Sequence, residues 1–142
     1  MVVSLDELIV EHRESLVDGI VKDAIRQISS YGRAPLRQTI ERVERFLEAL
    51  VDSMASNDPD LLEQYLVSVA QERQQEGVAI MELHAIVHIT EEHLRATVRS
   101  AVPDEVERNG LLALLQAVMD AARMVLSVRY LLDAGSRALP VS

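Results

Sequence analysis

The segment from Leu111 to Leu132 constrains the fold more than any other part of the sequence, because it is apolar in almost every direction around a helix. Its strongly polar residues are few: Gln116, Asp120, Arg123, Ser127 and Arg129. The first four follow one another at i, i+4, i+7 and i+11, so they form a single narrow stripe. A helix of this kind must be covered on most sides, by its own fold or by a second copy of the chain.

Two arrangements would cover this helix: a central position in a monomer, or burial shared with a second subunit. The homodimer is favoured, because a small all-helical fold seldom encloses one helix completely. The predicted dimer interface comprises Leu5, Ile9, His12, Leu115, Met119, Ala122, Leu126 and Tyr130. Replacing Ala122 and Leu126 by glutamate should give a soluble monomer if that surface is the interface, and loss of folding if it is core.

The rest of the chain shows the helical spacing of apolar residues, and no segment alternates as a strand does. Ser4 with Glu7 predicts a capping box for a first helix that reaches about residue 29. Pro35 suits the first position of a second helix, and Asp58-Pro59 predicts the start of a third. Gly77 then offers a left-handed cap at its end.

A fourth helix is predicted from about Val78 to Ala101, ending near Val102-Pro103 because the residue before proline avoids helical geometry. A fifth helix begins at Asp104 and reaches the neighbourhood of Gly135, with Asn109-Gly110 as a candidate break. The sequence therefore predicts one all-α domain over residues 1–142. Its expected architecture is five helices in a globin-like or bundle-like arrangement, with a long C-terminal helix.

Composition excludes several classes of protein. The formal net charge of −9 would repel phosphates, so binding to nucleic acid is excluded. The chain has no cysteine and only 3% aromatic residues, which leaves no thiolate ligands and few stacking platforms for a flat cofactor. No cofactor is predicted. The acidic N-terminal stretch does not resemble a signal peptide, and Asp120 and Arg123 interrupt the longest apolar run, so a soluble cytoplasmic protein is expected.

The stretch HAIVHITEEH, residues 84–93, contains three of the four histidines. On a helix, His84, His88 and Glu91 share one face, as two imidazoles and a carboxylate would in a metal site, whereas His93 points to the opposite side. Arg95 lies in the same stripe and forms an i, i+4 pair with Glu91. This pairing favours a solvated, charged helix face over a metal or haem site. For His12, on an apolar stripe, a satisfied core histidine is favoured over a pH sensor.

Catalytic motifs are absent from the sequence. It contains no glycine-rich phosphate loop, no G-x-S-x-G elbow, no H-E-x-x-H and no pair of carboxylates on an otherwise apolar face. The acidic residues alternate with arginines and indicate exposed charge pairs. The chain is therefore not expected to be an enzyme.

The segment QERQQEGVAIMELHAIVHITEEHLRATV resembles part of the N-terminal sensory domains of RsbR-type stressosome proteins. The likeness consists of a charged helix end, an arginine, a glycine, and a long helix opened by an apolar residue and Glu82-Leu83. The helix openings at Pro35 and Pro59 and the apolar last helix are similar in order and length, so the resemblance covers nearly the whole chain.

The resemblance implies a globin-like fold that has lost haem, dimerises through helices at its two ends, and passes a signal along its last helix. It carries no haem-ligand motif onto His84 or His88. Such domains normally precede a second domain, so this chain either works alone with other regulators or is a fragment. The leading hypothesis is a non-enzymatic sensor that binds regulatory protein partners and a small apolar ligand. The alternatives are a haem- or metal-binding globin-like protein using His84 or His88, and a plain helical adaptor.

Overall fold

The computed structural model describes residues 3–138, with side chains from residue 3 to residue 132. All regular structure within this range is α-helical, which confirms the predicted fold class. In chain order the helices are α1 Leu5–Glu11, α2 Arg13–Gln27, α3 Ser29–Arg33, α4 Leu36–Ala55, α5 Pro59–Gln75, α6 Ile80–Ala101 and α7 Glu105–Ala138.

Five helices were predicted and the described range contains seven, because the predicted first helix and the turn after it form α1, α2 and α3. At the junction of α1 and α2, Nδ1 of His12 lies 3.0 Å from the carbonyl oxygen of Leu8. The backbone amide of His12 donates to the carbonyl oxygen of Leu8, and the amide of Leu16 donates to the carbonyl oxygen of His12. Helical hydrogen bonding therefore continues across the junction, which is a local distortion of one helical path. Ile28 has an extended backbone and separates α2 from α3.

The predicted helix starts are close to those observed. The backbone amide of Glu7 donates to Oγ of Ser4 at 3.4 Å, and the amide of Asp60 donates to the carboxylate of Asp58 at 3.1 Å. These bonds satisfy amides that have no partner within the first helical turn. Pro35 was predicted at the first position of its helix. It is the N-cap residue of α4, which begins one residue later, at Leu36.

Two of the predicted helix ends are confirmed, and one predicted break is wrong. Gly77 follows α5 with a φ of +79°, a conformation that glycine adopts without strain. Val102 is extended before Pro103, as expected. Asn109-Gly110 lies inside α7, because packing of this helix against α5 and α6 outweighs the cost of about 1 kcal/mol for a glycine within a helix.

The last two long helices organise the packing. α7 packs against α5 and α6, while α1 and α2 pack against α4 and α6. α2 and α6 approach closely at Gly19, where a Cβ atom would lie 2.7 Å from Cε1 of His93. Nε2 of His93 lies 2.6 Å from Oδ2 of Asp23. His93 therefore faces α2, on the side of α6 opposite to His84, as the nine-residue spacing predicted.

Candidate interaction surface on the last helix

The face of α7 that points into the molecule carries most of the residues predicted to form the dimer interface. Seven of the eight predicted interface residues are buried within the single chain: Leu5, Ile9, Leu115, Met119, Ala122, Leu126 and Tyr130. The eighth, His12, is half-buried. Side chains enclosed by their own chain offer little surface to a second subunit, so the seven buried residues belong to the core of the single chain, and the location of the interface stays a prediction. Dimerisation itself stays a prediction.

A second apolar face of α7 is directed towards solvent. Seven exposed residues follow one another at alternating intervals of four and three: Gly110, Leu114, Ala117, Ala121, Met124, Val128 and Leu131. We call them the α7 stripe. Met124 is 68% exposed and Leu131 is 72% exposed, values unusual for large apolar side chains. The mean period of 3.5 residues is the one by which two helices pack along a shared line.

The sequence contained a signal that separates the two apolar faces, although the prediction did not use it. Both faces repeat at intervals of three and four residues, so periodicity alone cannot rank them. The α7 stripe includes three small residues, Gly110, Ala117 and Ala121, whereas the buried face includes only Ala122 among larger side chains. Larger apolar side chains gain more from burial within the subunit.

The polar stripe of α7 lies between the two apolar faces, and α6 supplies its partners. Oγ of Ser127 lies 3.0 Å from Nε2 of His84. Gln116, near the other end of the stripe, accepts a hydrogen bond from Arg95. The sequence had identified a polar stripe on each helix, and the structure brings the two stripes together.

Glu91 is the buried centre of this contact between α6 and α7. Its side chain accepts a hydrogen bond from Nη2 of Arg95 at 3.1 Å and another from Arg123 of α7. The pair with Arg95 was predicted. The predicted solvated face is wrong at this position, because α7 covers Glu91 and leaves the residue only 4% exposed. Two guanidinium groups thus compensate one desolvated carboxylate.

α7 is the one helix in the described range that is long and apolar enough to cross a membrane by length and composition, over Glu105–Leu132. Only 22% of its most apolar window is buried within the molecule. The exposed part is nevertheless one face, because the opposite face lies in the core and the polar stripe contacts α6. The exposed area is therefore shaped as a line along the helix.

Comparison with known protein families identifies the domain. The family model described as "RsbT co-antagonist protein rsbRD N-terminal domain" matches residues 14–131, which is most of the chain. The chain belongs to this family. No curated protein and no solved structure matches it.

Membership of the RsbRD N-terminal domain family confirms the resemblance to RsbR-type sensory domains and places the chain among stressosome signalling domains. The match begins in α2 and ends at Leu131, the last residue of the α7 stripe. Both apolar faces of α7 therefore fall within the family's domain. The globin-like arrangement stays a prediction.

The alternative metal or haem role in this RsbRD-type domain depended on His84, His88 and Glu91. Among the side chains of residues 3–132, no group of three or more histidines and carboxylates is placed to hold a metal ion. Glu91 is engaged by two arginines, whose positive charges would oppose a dication. The geometry disfavours this alternative, since its carboxylate already has competing partners.

A separate aromatic cluster in the RsbRD-type domain was missed from the sequence. The rings of Phe46 and Tyr65 stack with centroids 6.3 Å apart and planes 7° from parallel. Burial raises the pKa of Tyr65 to about 12. Burial also raises the pKa of Tyr31, against the opposing effect of the Arg73 and Arg42 charges. These residues come from different helices and share no local motif, so only the fold reveals that they meet.

Proposed function

We propose that the chain is a non-enzymatic regulatory domain that forms a homodimer through the α7 stripe and conveys a signal to regulatory protein partners in the cytoplasm. The family match supports the signalling role. The single observation that supports the dimer is the α7 stripe, a continuous line of exposed apolar residues on a small domain. Lines of this kind mark surfaces of interaction.

The pattern of the stripe favours a second copy of the same helix as its partner. A twofold axis places the same face of each subunit against itself, and a 3.5-residue repeat meets its own copy in register. Gly110, Ala117 and Ala121 let two helix backbones approach closely. The stripe carries no charge, so copies of a chain with a net charge of −9 meet there without direct repulsion between charged side chains.

The contacts of α7 also suggest how a signal would pass through the domain. Its exposed face would meet the partner, while its polar stripe is joined to α6 through Glu91 and His84. A movement of α7 at the dimer interface must therefore shift or break these contacts with α6. Insertion of α7 into a bilayer would strip the same polar groups of their partners, which favours a cytoplasmic domain over a membrane span.

Sedimentation velocity at micromolar concentration tests the dimer. The wild-type chain should sediment as a dimer, and the double variant Met124→Glu/Val128→Glu should be a folded monomer, because two charges would then lie on the line of contact. Circular dichroism verifies that the variant keeps its helices. A monomeric wild type at high concentration, or a dimeric double variant, would overturn the proposal.

Cysteine cross-linking tests the location of the interface independently. Because the chain has no cysteine, a single introduced thiol has no competing partner. Ala121→Cys lies in the middle of the α7 stripe and should form a disulfide-linked dimer under mild oxidation. Ser68→Cys, at an exposed position of α5, is the matched control and should remain a monomer on denaturing gels. Equal cross-linking of the two variants would contradict an interface on α7.

A further inference from the structure

A small cavity lies where α3, α4, α5 and α6 meet the buried face of α7, which contributes Leu126. Its walls are mainly apolar, with Val43, Phe46 and Val87 among them, and polar groups enter from Tyr31, Tyr65, Arg42 and Arg73. Its volume is about 30 Å³. A cavity of this size holds roughly two water molecules, so it admits only a ligand of a few heavy atoms.

Arg73 gives the cavity its chemical character. The residue is only 7% exposed, and its two carboxylate contacts, with Glu72 at 3.6 Å and Glu76 at 3.2 Å, both involve Nη1. Its Nε is buried and has no hydrogen-bond partner within the part of the chain that the structure describes. Buried donors are nearly always paired, and an arginine offers Nε–H together with a neighbouring Nη as a fork that fits a carboxylate.

The other polar groups near the cavity also favour an anion. The side chain of Arg42 is largely buried, and its Nη2 lies 3.4 Å from Oε2 of Glu76, the carboxylate that Arg73 also contacts. Glu76 itself is 46% exposed and meets both arginines, so the pair already binds a carboxylate from one side. Tyr31 and Tyr65 are protonated at neutral pH with or without the increase in pKa that burial causes. The Tyr31 hydroxyl already accepts a hydrogen bond from Arg73, and its own O–H can still donate.

We propose that this cavity is a binding site for a small carboxylate of about the size of acetate. The carboxylate accepts hydrogen bonds from Nε–H and the adjacent nitrogen of Arg73, and the methyl group packs against the apolar wall. This ligand is anionic, whereas the sequence suggested an apolar one. The site specifies an input for the proposed signalling role, but it lies away from the α7 stripe and stands whether or not the chain dimerises.

Titration of the full chain with acetate, followed by nuclear magnetic resonance, tests the site. Sodium chloride keeps the ionic strength constant, and acetamide serves as the uncharged probe of the same shape. The Arg73 Nε–H resonance is assigned by its loss in Arg73→Lys. Acetate should shift this resonance and the methyl resonances of Val43 and Val87 saturably and raise the melting temperature, whereas acetamide should do neither.

Arg73→Lys keeps the positive charge but removes the fork, so acetate affinity read from the valine methyls should fall at least about tenfold. Arg99→Lys, the same change at an exposed position of α6, should bind as the wild type does. Equal effects of acetate and acetamide, shifts that never saturate, or unchanged affinity in Arg73→Lys would each overturn the site. If Arg73→Lys does not fold, the wild-type comparison of the two probes decides.

The same titration of Met124→Glu/Val128→Glu separates this inference from the proposed function. That variant should be monomeric and should bind acetate normally, because its substitutions lie on the exposed face of α7. Acetate binding in a chain that never dimerises would leave the carboxylate site standing and remove only the dimer. A chain that dimerises but does not bind acetate would leave the proposed dimer standing and remove only the carboxylate site.

Discussion

The two apolar faces of α7 have similar residue types and similar spacing, yet one is the centre of the core and the other is exposed to solvent. Met119 is fully buried, whereas Met124, five residues later, is 68% exposed. The polar stripe that flanks the buried face distinguishes them, because its partners on α6 fix how α7 is rotated. Hydrophobicity decides that a helix has faces to bury, and the polar contacts between the faces decide which one its own chain covers.

The strongest test of this comparison uses two positions that are two residues apart. Leu126→Glu places a charge in the core and should destabilise the fold by more than about 4 kcal/mol, a large share of the stability of a typical domain. Val128→Glu places the same charge on the α7 stripe and should leave the helical content unchanged. Urea unfolding followed by circular dichroism measures both.

Ala122→Glu should behave as Leu126→Glu does, since both residues belong to the buried face. From the sequence alone, such variants could be soluble monomers or unfolded chains, and burial of both side chains favours the unfolded chain. A folded, soluble Leu126→Glu monomer would mean that α7 is rotated and that its two faces have been exchanged.

Alkaline pH tests the region that the buried face of α7 helps to enclose. The pKa of Tyr65 rises from 10 to about 12 on burial, so the folded chain retains a proton that the unfolded chain loses. The corresponding stability is fully present below pH 10 and is lost as pH rises from 10 to 12, by about 2–3 kcal/mol. In Tyr65→Phe the fall in unfolding free energy over this range should be smaller, with the remainder due to Tyr31. An identical fall in both proteins would show that the Tyr65 ring is not buried.

Much of the fold was predictable because its determinants are local in the sequence. Ser4, Asp58, Gly77 and Pro103 mark helix ends by backbone chemistry that involves only near neighbours. The distortion at His12 was not predicted, since the helical spacing of the apolar residues continues from Leu8 and Ile9 to Leu16 and Ile20 without a break.

The candidate sites were less predictable, because each depends on which helices meet. The two polar stripes could each be identified from helical spacing, but nothing in either one indicated that Glu91 would reach Arg123. The cavity beside Arg73 collects side chains from distant positions that share no spacing rule. The apolar excess of α7 was predicted, but its rotation was not, because rotation is set by those same contacts.

The polar contact between the faces can be weakened directly. Glu91→Gln removes the charge that two arginines share and should destabilise the fold by about 2 kcal/mol, since both arginine side chains retain some access to water. Asp120→Asn is the matched control: its carboxylate also meets Arg123 but is 60% exposed, so the change should be within about 0.5 kcal/mol. Urea unfolding gives both values, and equal effects would mean that Glu91 is solvated.

The smallest expected effect is that of Gly110→Ala, which tests whether a second copy of α7 covers the α7 stripe. Among the residues that the structure describes, no neighbouring atom lies within 4 Å of a Cβ atom added at Gly110, so Gly110→Ala should stabilise a single subunit by about 0.5–1 kcal/mol through the higher helix propensity of alanine. In a dimer that packs α7 against its own copy, the added methyl group would meet the partner helix. The gain in melting temperature should therefore be present in the monomeric Met124→Glu/Val128→Glu background and reduced or reversed in the wild-type background. Equal gains in both backgrounds would place Gly110 outside the interface and confine the contact to the part of the α7 stripe beyond it.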